Sequence, residues 1–333
     1  MRVRGHSPVL WRRVGQSQIG TEPGHAVVLD GLSPQEQQLL DRLPPDLSPG
    51  DVYQVARWSE VPVARAHQIL SALDEAGVLT RDAPAPGTVD EVYWERLADN
   101  PRARVRALRD GIVGIIGGCR LARELVSLLA EAGVGTLLLA DDDTVDLTNL
   151  QRQILHRQDR IGMAKTESAR LTLASLNPDV QFVPLPRLDT DAALDEAVSQ
   201  ADVVLDGSDN FATRHAVNRA CVRHGKPLVS GAAIRFDGQL AVFDTRQPTS
   251  PCYHCLFPDS ENVEEVRCSQ MGVFAPLTGI IGTMQASEAL KLAGQFGTPS
   301  VGRLHLLDGR TLRFSEIRVP RDPDCPVCAH RAG

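Results

Sequence analysis

A chain of 333 residues has the length of about two domains, and its balance of 35 Lys+Arg against 42 Asp+Glu, a net charge of −7, excludes a general polyanion binder and with it a nucleic-acid partner. Hydrophobic residues at 42% supply an ordinary globular core and exclude bulk disorder. No apolar run approaches the ~18 residues of a membrane span, and the basic start Met1-Arg-Val-Arg-Gly-His lacks the apolar stretch of a secretory signal, so a reducing cytoplasm is the expected compartment.

Residues 1–82 read as one small domain. Val9-Leu-Trp-Arg-Arg-Val and Ala26-Val-Val-Leu-Asp-Gly have the β-branched and apolar content of short strands. Ser33-Pro-Gln-Glu then predicts a helix start, with Ser33 as cap, Pro at the first helical position and Glu36 closing a capping box. Two more helices are predicted over 51–57 and 63–76, the second with Ala66, Ile69, Leu70 and Leu73 at helical spacing and Gly77 as its stop. Strands followed by three short helices suggest a winged-helix-like module. Residues 1–85 hold 8 Lys+Arg and 10 Asp+Glu, which disfavours DNA and leaves peptide docking or a packing role. Residues 83–98, opening with Ala-Pro-Ala-Pro-Gly, read as a linker.

From residue 99 to 333 the pattern is α/β. Gly111-Ile-Val-Gly-Ile-Ile is a buried strand, and Leu121, Leu125, Leu128 and Leu129 mark the inner face of a helix. Thr136-Leu-Leu-Leu-Ala is a second buried strand that ends at Asp141. This βαβ unit places an acid where a ribose hydroxyl binds, beyond the carboxyl ends of parallel strands. The loop between, Gly117-Gly118-Cys119-Arg120, keeps two glycines and then puts side chains where a phosphate would meet main-chain N–H groups. Val203-Val-Leu is a further strand ending in Asp206 and Asp209, acids of a kind that hold Mg²⁺ against phosphates. Arg214 and Asn218 lie four apart on one face of the next helix, which suits either a polar site or a solvated surface. Gly238–Phe243 and 303–307 are predicted strands, Asp308-Gly309 a turn before a strand from Thr311, and Thr278–Ala293 a long core helix. The fold class is therefore a doubly wound, mostly parallel Rossmann-like sheet with an antiparallel extension.

Four of the seven cysteines form two C-x-x-C pairs, Cys252/Cys255 and Cys325/Cys328. In a reducing compartment such pairs read as Zn²⁺ ligands, and a shared site would clip two distant segments together. Four thiolates leave no open position for water, so the zinc is structural, with His254 and His330 as bystanders.

From about residue 99 to 330 the sequence resembles the ThiF/MoeB adenylyltransferases, bacterial relatives of ubiquitin-activating enzymes. The motifs that carry this are Asp141-x-Asp-x-Val-x-Leu-x-Asn-Leu-Gln-Arg-Gln, Gly162-x-x-Lys165, Asp206-x-x-Asp-Asn210, Leu228-Val-Ser-Gly-Ala-Ala, both C-x-x-C pairs and Ala275-Pro-Leu-x-Gly. The resemblance implies an ATP-dependent enzyme that activates the C-terminal carboxylate of a small β-grasp sulfur-carrier protein or peptide as an acyl-adenylate. It implies that Gly117, Gly118 and Asp141 hold the nucleotide, that Arg152 and Lys165 neutralise phosphates with Asn149 and Gln153 in support, that Asp209 binds Mg²⁺ with Asn210 beside it, and that the chain is a homodimer. Cys268 matches the position at which some relatives carry a thioester or persulfide cysteine. The upstream Arg-Tyr-x-Arg-Gln segment of the family has its nearest match in Val92-Tyr-Trp-Glu-Arg-Leu. Gln18-Ile-Gly and Ala26-Val-Val-Leu-Asp-Gly-Leu resemble leader-peptide-binding domains that capture peptides along a strand edge. With the altered glycine loop, a non-catalytic peptide-binding scaffold of the same fold is the second reading, and a nicotinamide oxidoreductase or redox-sensing regulator the third.

Overall fold

The computed structural model describes residues 2–3, 9–13, 15–19, 27–43, 48–76, 79–80, 101–117, 122–150, 155–259 and 272–330. Contacts divide the chain into two units, Met1–Tyr93 and Trp94–Gly333.

The first unit holds β1 (Arg2–Val3), β2 (Val9–Arg13), β3 (Gln16–Ile19), β4 (Val27–Asp30), α1 (Pro34–Asp41), α2 (Pro49–Trp58), α3 (Val63–Glu75) and β5 (Leu79–Thr80). Strands β2, β3 and β4 form an antiparallel sheet with β3 in the middle. That central strand is one the sequence pattern does not predict. Gln16-Ser-Gln-Ile carries one apolar residue, yet Ser17, Gln18 and Ile19 are all buried, and Gln37 donates from Nε2 to Ser17 Oγ at 3.4 Å. A buried strand made of polar residues has no hydrophobic period to betray it. Helix α1 starts as predicted. Glu36 N donates to Ser33 Oγ at 3.2 Å, Ser33 N donates back to Glu36 Oε2 at 2.6 Å, and Pro34 takes the first turn. Helix α2 repeats the device with Ser48 and Asp51 and so begins earlier than its apolar residues suggest. Ala66, Ile69, Leu70 and Leu73 of α3 close the unit's core with Ile19, Leu39, Leu40 and Val55.

The second unit runs α4 (Pro101–Asp110), β6 (Ile112–Ile116), α5 (Ala122–Glu131), β7 (Thr136–Ala140), α6 (Leu147–Leu150), α7 (Lys165–Leu176), β8 (Gln181–Leu185), α8 (Asp191–Gln200), β9 (Val203–Asp206), α9 (Phe211–His224), β10 (Leu228–Ile234), β11 (Asp237–Phe243), α10 (Tyr253–Leu256), α11 (Ala275–Gly294), β12 (Arg303–Asp308) and β13 (Arg313–Arg318). Its eight-stranded sheet has the order β13-β12-β11-β10-β9-β6-β7-β8. Strands β8, β7, β6, β9 and β10 are mutually parallel, and β11, β12 and β13 continue antiparallel. The sheet is thus mostly parallel with the antiparallel extension that the sequence suggested.

Alternation along the strands feeds two cores. Val113, Ile115, Leu137, Leu139 and Leu205 pack against Leu108 of α4, Leu125 and Leu129 of α5, Leu173 of α7 and Ala289 of α11. Ile116, Leu138 and Val204 face the other way, onto Leu194 and Val198 of α8 and Val217 and Ala220 of α9. Strand β13 differs: all six residues are exposed, Phe314 and Ile317 among them, and it is an edge of the sheet.

Candidate functional site

Strand β6 lies between β7 and β9, so consecutive connections leave it in opposite directions and part at its carboxyl end. Ile116 stands opposite Ala140 on one side and Asp206 on the other, which brings Gly117, Asp141 and Gly207 together at the crevice. The turn is pinned by Gly117 N donating to Ala140 O at 3.2 Å and Gly207 N donating to Ile116 O at 3.0 Å. Gly117 has φ +83°, and a Cβ there would meet Ser208 N at 2.7 Å, so both its conformation and its contact require glycine.

Asp141 is the buried acid of this crevice. Its Oδ1 accepts from Asp143 N at 2.9 Å, while Oδ2 is sealed from solvent and has no hydrogen-bond partner. Lys165 Nζ, buried at the start of α7, lies 3.7 Å from that oxygen and bonds Asp143 Oδ2. Burial pushes the Asp141 carboxyl up to about 6, against the pull of the Lys165 charge. The acidic loop is zipped to the segment before α7 by Val145 N to Met163 O at 2.8 Å and Lys165 N to Asp143 O at 3.0 Å. Lys165, which the resemblance assigns to phosphate neutralisation, therefore has carboxylates as its neighbours. Oδ2 thus keeps its hydrogen-bond acceptor capacity, and Gly117 leaves main chain uncovered at the turn.

The floor of the crevice is a polar network that no sequence spacing announces. Asp206 is wholly buried; its Oδ1 accepts from Ser208 N at 2.9 Å and Ser208 Oγ at 2.6 Å. Arg214 Nη1 reaches Asp206 Oδ2 at 3.3 Å and Ser230 Oγ at 3.0 Å, and Nη2 reaches Gly231 O at 2.9 Å and Ser208 O. Gln285 on α11 donates to Asp206 O at 3.0 Å and Val229 O at 3.2 Å. Arg214 is thus a buried clamp and not part of a solvated surface. Ser208, Ser230 and Gln285 come from three separate segments; the small-residue run Val229-Ser-Gly-Ala is the one signal the sequence offers for them.

The remaining site residues are divided. Asp209 is exposed, three residues beyond the end of β9. Asn210 caps α9, its Oδ1 accepting from Thr213 N at 2.8 Å. Asn149 is placed on the short helix α6. Gly118, Arg152, Gln153 and Cys268 lie outside the described residues, as do Cys119 and Arg120.

The four cysteines converge. Cys252 Sγ is 3.9 Å from Cys255 Sγ and 3.7 Å from Cys325 Sγ, and Cys255 Sγ is 3.6 Å from Cys328 Sγ. A tetrahedron with Zn–S bonds of about 2.3 Å has edges of about 3.8 Å, so the cluster has the dimensions of a Cys₄ centre. Cys255 titrates low because it accepts from the Cys252 thiol, and Cys252 is correspondingly pushed up. His254 Nδ1 sits 3.7 Å from Cys325 Sγ, outside the thiolate set. Arg321 donates from Nη2 to Cys328 O and Ala329 O, both at 3.1 Å, and steadies the second knuckle. Cys221 is a core residue whose thiol burial pushes up.

No helix of the structure is long and apolar enough to cross a membrane among the described residues. The ThiF family model matches residues 94–327. The chain is 44% identical to the molybdopterin-synthase adenylyltransferase of Escherichia coli over 223 residues, 67% of this chain and 88% of that protein. It is 45% identical to the sulfur carrier protein ThiS adenylyltransferase of the same organism over 221 residues, 66% of this chain and 87% of that one. The crystal structure of E. coli MccB with ATP shares the fold at a TM-score of 0.78 and 19% identity, covering 98% of this chain and 99% of that one. Crevice, cysteine cluster and sequence agree, and the chain belongs to the ThiF family.

Proposed function

We propose that this chain is an ATP-dependent adenylyltransferase that activates the C-terminal carboxylate of a small sulfur-carrier protein or peptide. The observation that carries the reading is the buried Oδ2 of Asp141 at the carboxyl ends of β6 and β7, which accepts no hydrogen bond although Lys165 Nζ lies 3.7 Å away, next to a glycine that admits no side chain. Asp141 would accept from the ribose, Gly117 would let main chain approach the phosphates, and Asp209 would face Mg²⁺ from the mouth. A carboxylate oxygen of the carrier attacks the α-phosphorus, an O–P bond forms, the α–β phosphoanhydride breaks, and pyrophosphate leaves. Positioning and charge neutralisation suffice for this step, because the attacking group belongs to the carrier. Arg152 and, once a phosphate competes with Asp143 for it, Lys165 would supply the charge, with Asn149 and Gln153 in support and Gly118 and Asn210 contributing to nucleotide binding.

Two relatives are named as adenylyltransferases, one of them for the sulfur carrier ThiS, which supports this substrate class. The Cys₄ cluster would hold a structural Zn²⁺, Cys268 would serve later acyl or sulfur transfer, and the protein would act as a cytoplasmic homodimer. The first unit, residues 1–82 with a linker over 83–98, would be a winged-helix-like domain that binds peptide along a strand edge. The test is pyrophosphate exchange: radiolabelled pyrophosphate should enter ATP only when MgATP and a carrier with a free C-terminus are both present. ATP binding without exchange on any carrier overturns it.

The substitution of Cys119 and Arg120 for loop glycines favours a second reading, a non-catalytic scaffold that hands a peptide to a partner enzyme. Calorimetry separates the two, since a scaffold gives no heat with MgATP but retains peptide binding.

A further inference from the structure

Of the buried polar side chains on helix α9, Arg214, His215 and Asn218, the first and last lie one turn apart and are tied to different centres. Arg214 clamps Asp206, Ser208, Ser230 and Gly231 at the crevice floor. Asn218, only 1% exposed, turns to the cysteine cluster. Its Oδ1 accepts from Tyr253 N at 2.9 Å. A backbone N–H can only donate, so this bond fixes the amide's orientation and leaves Nδ2 pointing at Cys252 Sγ, 3.6 Å away. Asn218 therefore grips the first knuckle twice, at the main chain that carries the ligand and at the ligand sulfur.

We propose that Asn218 is a positioning residue of the four-cysteine metal centre, and that through α9 it ties the order of that centre to the crevice floor. A thiolate that accepts an N–H bond is stabilised as the anion a metal requires, and its lone pairs are directed. The path is short and continuous: Cys252 to Asn218, one helical turn to Arg214, then Ser208, whose backbone abuts Gly117. Loss of the metal frees Cys252 and Tyr253, removes the partner that holds Asn218, and loosens the turn on which Arg214 is mounted. The proposal concerns the metal centre and its helix, so it stands or falls separately from the adenylation reading.

Purified, zinc-loaded full-length chain is challenged with excess 4-(2-pyridylazo)resorcinol, and the rate of zinc release is read from absorbance. Asn218→Asp keeps the acceptor for Tyr253 N, deletes the donor and adds a negative charge beside the thiolates. It should release zinc about ten- to a hundred-fold faster than the parent, if the roughly 10- to 100-fold loss of metal affinity on removing an outer partner falls on the release rate. Asn218→Ala, which loses both bonds, should be at least as fast; if that variant fails to fold, the Asp variant decides. In a second arm, hydrogen exchange is followed in the Phe211–His224 helix before and after zinc removal. Protection should fall at the Arg214 turn when zinc is removed. Zinc release at the parental rate in Asn218→Asp overturns the positioning role, and unchanged protection in the zinc-free chain overturns the link to the crevice. Neither readout needs nucleotide.

Discussion

Lys165 Nζ stands 3.7 Å from Oδ2 of Asp141, with both side chains almost closed to solvent. An acid and a base this close ordinarily lower the acid's pKa, yet burial outweighs the ammonium and leaves Asp141 titrating at about 6. The folded pKa lies above the unfolded 3.8, so the folded chain binds more protons between about pH 4 and 6. The contribution to stability is full below about pH 4 and is lost as pH rises through 6, roughly 3 kcal/mol in all. Asp141→Asn should flatten this part of the stability-pH curve, measured by urea unfolding at intervals from pH 4 to 7.

The same carboxylate accepts best when ionised. MgATP affinity should therefore rise with pH through about 6, the reverse of the stability trend. Asp141→Asn should weaken nucleotide binding about 10- to 100-fold, the equivalent of a hydrogen bond to a charged group at ~1.5–3 kcal/mol. Calorimetry at pH 5.5 and 7.5 checks both statements, and a pH-independent affinity in the parent chain sinks them.

Gly117→Ala places a Cβ 2.7 Å from Ser208 N at a φ of +83°. The neighbour is main chain in a buried turn and cannot yield, so a loss of about 1–3 kcal/mol is expected. Nucleotide binding should fall with it, because the turn that admits main chain to the phosphates is displaced. A control Gly133→Ala also has positive φ, +81°, but meets nothing within 4 Å, so it carries the backbone strain without the clash. Equal Tm values for the two variants would refute the role given to Ser208.

Arg214→Ala leaves the buried Asp206 without its counter-charge and strips two carbonyls of a donor. Breaking such a pair costs about 3–5 kcal/mol, which for a unit of this size lowers Tm by roughly 10 °C. Arg214→Lys retains the charge but reaches fewer of the four partners, and its loss should be intermediate.

Cys325→Ser removes one thiol of the cluster, 3.7 Å from that of Cys252. Metal analysis by atomic emission should give one zinc per parent chain and none per variant, with a lowered unfolding temperature in the variant. A metal-free parent chain would remove the zinc assignment.

Features that rest on period, cap or pairwise spacing were legible in the sequence. The uninterrupted apolar run Leu137, Leu138 and Leu139 reported a strand buried on both faces, Ser33 with Glu36 reported a helix start, and each C-x-x-C pair reported half of a four-cysteine cluster. The position of Asp141 was legible because a parallel strand delivers the residue after its last one to the crevice. Side-chain destinations were not. Lys165 turns inward to Asp143, Arg214 and Asn218 are buried clamps, and Asn210 is a cap, because each role depends on the fold around it and most of them on partners from distant segments. The sulfur that Asn218 touches lies 34 positions away along the chain, beyond any local pattern.

Strand β13 closes the sheet order with every residue wetted; among the described residues no strand pairs with its outer edge, and an unpaired backbone row is a template on which another molecule's strand can stack into fibrils. Arg313, Glu316 and Arg318 flank its Phe314 and Ile317, and such formal charges make runaway stacking costly. Neutralising all three would cost the fold the exposed Arg303–Glu316 pair, a small loss, while shortening the shelf life of concentrated stocks.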